Sequence, residues 1–141
     1  MNDPTRPDKI QVSADHTPGE HRTDSDDAFW WLPVLGPTST WLAYLLARHA
    51  AYGERCWETT ALARTIGLAG NRSKLWAALE RLDMFGVAHF HATDVITIRV
   101  NLPALRPRQL ACLPDDLAAT YTARPMATAG AHREQAECVD E

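Results

Sequence analysis

The sequence predicts an α+β domain, mostly helical, over residues 29–124, set between two acidic, disordered tails at residues 1–28 and 125–141. Three observations carry this reading. Apolar residues recur at helical spacing in three successive segments between residues 37 and 85, the last two joined by a tight small-residue turn. Two β-prone runs, 87–91 and 95–100, follow at hairpin distance. Outside residues 29–124 the chain is polar, proline-bearing or acidic, with no periodic apolar pattern.

A length of 141 residues fits one domain, and a composition of 45% hydrophobic and 23% charged residues fits a globular core. The net charge of −4 is unevenly spread: residues 1–28 carry −4, residues 125–141 carry −3, and residues 29–124 carry +3. The domain is therefore expected to be mildly basic. No apolar run approaches the roughly 18 residues needed to cross a bilayer. The opening Met-Asn-Asp-Pro shows no basic-then-apolar signal, so a cytoplasmic protein is expected. Cys56, Cys112 and Cys138 are odd in number and widely spaced, which suggests neither a disulfide framework nor a zinc knuckle. Cys56 and Cys112 read as small packed hydrophobes.

Taken in order, residues 1–27 hold Ile10 and Val12 among prolines and the run Asp24-Ser25-Asp26-Asp27, too little apolar surface to fold. Phe29-Trp30-Trp31-Leu32-Pro33 opens the domain as an aromatic clasp at its edge. Gly36-Pro37-Thr38-Ser39 turns into a first helix, where Leu42, Leu45, Leu46 and His49 recur as far as Tyr52-Gly53. Glu54 to Trp57 fits a brief strand. Thr59 or Thr60 caps a short second helix, Ala61 to Ile66, which Gly67 ends. After Leu68-Ala69-Gly70, Asn71 caps a third helix from Arg72 to about Phe85, with Leu75, Leu79 and Leu82 inward and Gly86 as its stop. Ala92-Thr93-Asp94 turns the hairpin. Pro107 to Leu113 and Pro114 to Arg124 each open with a proline suited to a first helical turn, and fit one bent helix or two short ones.

The order helix, short strand, short helix, tight glycine turn, longer helix, hairpin resembles the winged helix-turn-helix family. Thr59 to Leu68 looks like the family's first motif helix and turn, Asn71 to Leu82 like its recognition helix, and Phe85-Gly86-Val87-Ala88 like the exit into the wing. Leu32 to Pro37 and Arg106 to Pro114 are also similar to segments of small, uncharacterised bacterial winged-helix DNA-binding proteins. The resemblance implies a three-helix core with a β-hairpin wing, extended by an extra C-terminal helix. It also implies duplex DNA as the partner and transcriptional regulation as the role.

In such a protein the recognition helix enters the major groove with its N-terminal residues toward the bases. With Leu75, Leu79 and Leu82 inward, Ser73, Ala77, Glu80 and Met84 point outward, flanked by Lys74 and Arg81. Arg72 and Lys74 suit phosphate or guanine, Asn71 and Ser73 suit a base or a phosphate, and Ala77 allows close approach. The candidate DNA-binding residues are thus Asn71, Arg72, Ser73, Lys74, Ala77 and Arg81, with Arg99 on the second hairpin strand. The same cations also read as an ordinary solvated helix face. Glu80 opposes phosphate unless it pairs with Arg81 or accepts from a cytosine amine, and the wing tip carries no cation.

His89 and His91 share one face of a strand, but no further ligand at suitable spacing completes a metal site, and no metal or cofactor is expected. The chain has no GxSxG, P-loop, strand-linked GxGxxG or HExxH, so no enzyme is expected. Trp41, Trp57 and Trp76 fall near apolar faces and read as core. Trp30 and Trp31 with the stripe Leu113, Leu117 and Tyr121 form a candidate homodimer seam, whose two-fold axis would match a palindromic DNA site. The alternative is a winged-helix protein-interaction module, an adaptor or inhibitor, which accounts better for the overall acidity, the bare wing and the outward Glu80.

Overall fold

The computed structural model describes residues 6–124. Along them the chain forms β1 (Lys9–Asp15), β2 (His21–Arg22), a 3-10 helix (Asp26–Trp31), α1 (Leu32–Leu35) and α2 (Pro37–Ala50). It continues through β3 (Arg55–Glu58), α3 (Thr59–Thr65), α4 (Arg72–Met84), β4 (Ala88–Ala92), β5 (Val95–Arg99), β6 (Asn101–Leu102), α5 (Pro107–Leu110) and α6 (Asp115–Ala123). Among these residues the protein is α+β. A four-stranded sheet in the order β3-β1-β5-β4 packs against α2 and α4, and β2 pairs with β6 in a separate ribbon.

β1 corrects the expectation of a disordered tail over residues 1–28. It is an interior strand, antiparallel to β3, with Ile10 opposite Trp57, and parallel to β5, with Val12 opposite Ile96. A strand with one face on a core needs apolar residues only at alternate positions, and Ile10 and Val12, the two aliphatics of that segment, supply them at 0% and 1% exposure. Neighbours on both sides satisfy its backbone groups. The chain then stays pinned: Gly19 passes so close to Leu102 that a Cβ there would lie 2.5 Å from its carbonyl oxygen. The buried Thr23 donates its hydroxyl to the Arg99 carbonyl at 2.6 Å. Residues 1–5, and the tail expected over 125–141, lie outside the described residues. Because residues 6–28 join the domain, its charge changes: residues 6–124 hold thirteen Lys and Arg against thirteen Asp and Glu. The mildly basic domain expected from the sequence is neutral.

The helices follow their apolar spacing. Leu42, Leu46, Leu62, Leu75, Leu79 and Leu82 are all fully buried. Pro37 occupies the first turn of α2, and Asn71 caps α4 by accepting from the Lys74 N–H at 3.1 Å. α3 starts two residues earlier than expected, because the Thr59 N–H and hydroxyl both donate to the Asp8 carbonyl, at 2.8 and 3.0 Å. The N-terminal arm thus tethers that helix end, rather than a side-chain cap of its own. The turn into α4 runs through Ala69 at φ +53° and Gly70 at φ +79°. After α4 the hairpin forms as expected, with Phe90 opposite Ile96. The C-terminal region resolves into two short helices, α5 and α6.

Three further expectations are corrected. Cys56 and Cys112 are exposed, Cys56 because it alternates with the buried Trp57 onto the outer face of β3, and Cys112 in the turn after α5. Trp57 and Trp76 are buried, but Trp41 is 51% exposed beside an equally exposed Phe29. The seam expected between copies is closed within the chain: Trp31, Leu113 and Tyr121 are buried, and Trp30 packs edge-on against Tyr121 at 5.2 Å between ring centres. Trp31 Nε1 donates to the Pro103 carbonyl at 3.1 Å. Of the five seam residues only Leu117 is exposed. α6 folds back on the aromatic clasp and uses the surface a second copy would need.

That contact contains a buried polar chain. The Leu105 N–H donates to Tyr121 Oη at 2.8 Å, and Tyr121 lies 2.9 Å from Nε2 of the buried His21. His21 Nδ1 reaches Asp27 at 3.3 Å. Burial pushes the His21 pKa below its ordinary value; the Asp27 hydrogen bond opposes this and the Arg124 charge adds to it. The neutral ring, donating from Nδ1 and accepting at Nε2, fits both partners.

Candidate nucleic-acid interface

α4 presents the face that its spacing predicts. Asn71, Ser73, Lys74, Ala77, Glu80, Arg81 and Met84 are exposed, and Leu75, Leu79 and Leu82 are not. The left-handed turn at Ala69 and Gly70 sets the start of α4 against the end of α3, where Arg64 packs along Gly70. Along the outer face runs a groove of about 670 Å3, bounded by Ala77, Met84 and Lys74 on α4, Leu68 on the turn, and Leu35 to Ser39 at the α1–α2 corner.

The electrostatics differ from the helical-wheel expectation, because all three arginines among the candidate contacts, Arg72, Arg81 and Arg99, donate to carbonyls within the protein. Arg72 is only 13% exposed: Nη1 pairs with Asp8 at 3.0 Å, and Nη2 donates to the Pro7 carbonyl at 2.9 Å and to the Arg6 carbonyl at 3.4 Å. It staples the N-terminal arm to the start of α4. Arg81 donates from Nε to Leu35 O at 2.7 Å and from Nη2 to Val34 O at 2.8 Å. Those are carbonyls at the end of α1, which have no partner within so short a helix. Arg99 donates to the Asn101 and Pro18 carbonyls, both at 2.9 Å, and its charge helps hold the Asp15 carboxyl below its usual pKa, after the hydrogen bonds from Thr17. Arg72, Arg81 and Arg99, expected as ligand contacts, thus each bind carbonyls of the chain itself, Arg81 while still exposed to solvent. A long cation near unpaired carbonyls is drawn to them, and which carbonyls are near is not visible along the chain.

Asn71, Ser73, Lys74 and Ala77 remain together at the exposed start of α4. Asn71 spends its side-chain oxygen on the helix cap. Glu80 pairs not with Arg81 but with Arg6, at 2.6 Å. Arg64, exposed on α3 and beside the turn, was missed; its place one turn before Gly67, on the polar side of α3, is the signal that would have found it. The hairpin tip, Ala92 to Asp94, is exposed and bears an acid, and the Asp94 carbonyl is held by the Gln11 N–H at 2.8 Å.

His89 and His91 lie exposed on one face of β4 while Phe90 turns inward onto Trp76. His91 Nε2 lies 3.0 Å from the Thr97 hydroxyl. Among the described residues, no group of three or more His, Cys, Asp or Glu side chains is placed to hold a metal, and no helix is long and apolar enough to cross a membrane. Compared with known proteins, the chain matches no family model, no curated protein and no solved structure.

Proposed function

We propose that this chain is a winged helix-turn-helix protein that binds duplex DNA through the N-terminal half of α4, as a non-enzymatic transcriptional regulator. One observation carries the reading: Ser73, Lys74 and the small Ala77 are exposed together on the first turns of α4, beside Arg64 across a left-handed turn. A helix entering the major groove needs a slim, polar leading end with cations at its flanks. The footprint is small. Two flanking cations and a neutral domain support about two phosphate contacts, so affinity falls with salt at a log–log slope near −2 rather than the −5 or steeper of a strongly basic domain.

The test is fluorescence anisotropy with a pool of random duplexes at several salt concentrations, on the wild type and on Arg64→Ala/Lys74→Ala. Salt-dependent binding that the double variant loses supports the reading. No binding by the wild type at low salt defeats it.

A second reading, a protein-interaction module, is favoured by the half-exposed pair Phe29 and Trp41, packed edge to face at 6.0 Å with Tyr44 beside them. Exposed aromatic clusters of this kind are enriched at interfaces. The same patch is an exposed aromatic surface through which a homodimer would form, given that most of the seam first expected is covered within the chain. Sedimentation equilibrium of the wild type and of Trp41→Ala decides between self-association through this patch and its absence.

A further inference from the structure

On the other side of α4, a hollow of about 340 Å3 opens between the N-terminal arm, α4 and the hairpin, with Arg6, Pro7, Trp76, Glu80, Phe90 and Thr93 in its lining. Its wall is aromatic: the Trp76 and Phe90 rings stack at 6.1 Å between centres and 25° between planes. Glu80, 58% exposed, stands at the rim. Arg6 reaches into this setting from the far end of the chain. Its guanidinium lies 5.6 Å from the Trp76 ring centre and 2.6 Å from Glu80 Oε1.

An aromatic face beside a carboxylate is a recognition set for a flat cation. The ring quadrupole attracts the charge, and the carboxylate accepts from the planar N–H fork. The hollow falls within the range of about 300–1,000 Å3 typical of small-molecule sites. Arg6 therefore behaves as a tethered ligand, at an effective concentration of about millimolar or above that any free ligand must overcome. Its backbone carbonyl is held separately by Arg72, so the Arg6 side chain can leave while the arm stays in place.

We propose that this hollow, with the contact to Trp76 and Glu80 that Arg6 makes at its edge in the free chain, is a binding site for small planar cations, amidinium or guanidinium compounds. A ligand with an aromatic ring gains a contact with the Trp76 and Phe90 wall that an aliphatic arginine stem does not make. Binding keeps Glu80 paired and releases Arg6 beside α4. The proposal does not rest on the DNA reading and is tested without DNA.

The probe is benzamidine, titrated into the full-length wild type, Arg6→Ala and Arg6→Ala/Glu80→Gln. The readout is the Trp76 indole N–H resonance, assigned with Trp76→Phe, in variants whose spectra show the native fold. Arg6→Ala should give a saturable shift of that resonance with a Kd at least about tenfold below that of the wild type, and Glu80→Gln should raise it again by at least about tenfold. No saturable shift in Arg6→Ala up to the solubility of the probe overturns the proposal. So does a smaller change on either substitution.

Discussion

Arg72→Ala separates a structural role from a ligand-binding one, because Arg72 stands at the first position of α4 yet faces the protein. Its ion pair with Asp8 counts for little, since the Asp8 side chain is 84% exposed and screened by solvent. The loss comes from the charge-assisted bond to the Pro7 carbonyl at 2.9 Å, the weaker one to Arg6, and the buried stem. A charge-assisted bond of this kind contributes about 1.5–3 kcal/mol. Adding the stem, a total near 2–3 kcal/mol is expected, which lowers Tm by roughly 8–15 °C for a domain of this size. Lys74→Ala, two residues along on the solvent side, should change stability by less than about 0.5 kcal/mol. Urea denaturation gives the two stabilities, and anisotropy with duplex DNA well below both melting temperatures gives the affinities. An Arg72→Ala variant as stable as the wild type but unable to bind DNA would refute this assignment and restore Arg72 as a phosphate contact. A variant combining Arg72→Ala with Arg81→Ala is a poor probe of DNA binding, since both arginines hold the fold together.

Other consequences are checked as directly. Ile10→Ala should cost about 2–5 kcal/mol in urea denaturation, the range for truncating a buried aliphatic, whereas a disordered segment predicts no change. His21 has a folded pKa below its unfolded value of about 6.5, so its contribution is intact above pH 6.5 and is lost as pH falls below that toward the folded value. Stability should therefore decline in that window, by at most about 1.4 kcal/mol per pH unit for one proton, and His21→Gln should flatten the decline. His49 shifts in the same direction, mainly by desolvation and then by the charge of Arg55, and remains in the His21→Gln background; an unflattened profile would transfer the effect to it. Ala69→Gly should raise stability by up to about 1 kcal/mol: it relieves a left-handed alanine at a cost near 1–2 kcal/mol, less the greater entropy of glycine in the unfolded chain. Unchanged or lower stability would mean that the turn is not strained.

The candidate site was legible in its backbone and illegible in its charges. Helical spacing alone placed Leu75, Leu79 and Leu82 inward and Ser73 and Ala77 outward, with Lys74 on their flank, because the 100° step of a helix links position to face without reference to anything else. The destination of an arginine has no such local rule. A side chain of that length can reach carbonyls dozens of positions away, as Arg81 reaches Val34 and Leu35, and Arg99 reaches Pro18. The alternation of Ile10 and Val12 was also on the page. A lone two-residue alternation among prolines and acids carries too little weight by itself, and it becomes a strand only between β3 and β5.

By itself, the sequence determined the cores of α2, α3 and α4, the Asn71 cap, the glycine stops, the hairpin and the inward faces, since each rests on interactions within a few residues of chain. Tertiary structure alone decided that the N-terminal segment is an interior strand and that the domain is thereby neutral. It likewise decided that the C-terminal helix closes over Trp30 within one chain and that Arg6, rather than Arg81, pairs with Glu80. Those outcomes depend on contacts between residues as many as 91 positions apart, as Trp30 and Tyr121 are. Burial and charge pairing act on distance in space, which the order of residues does not record.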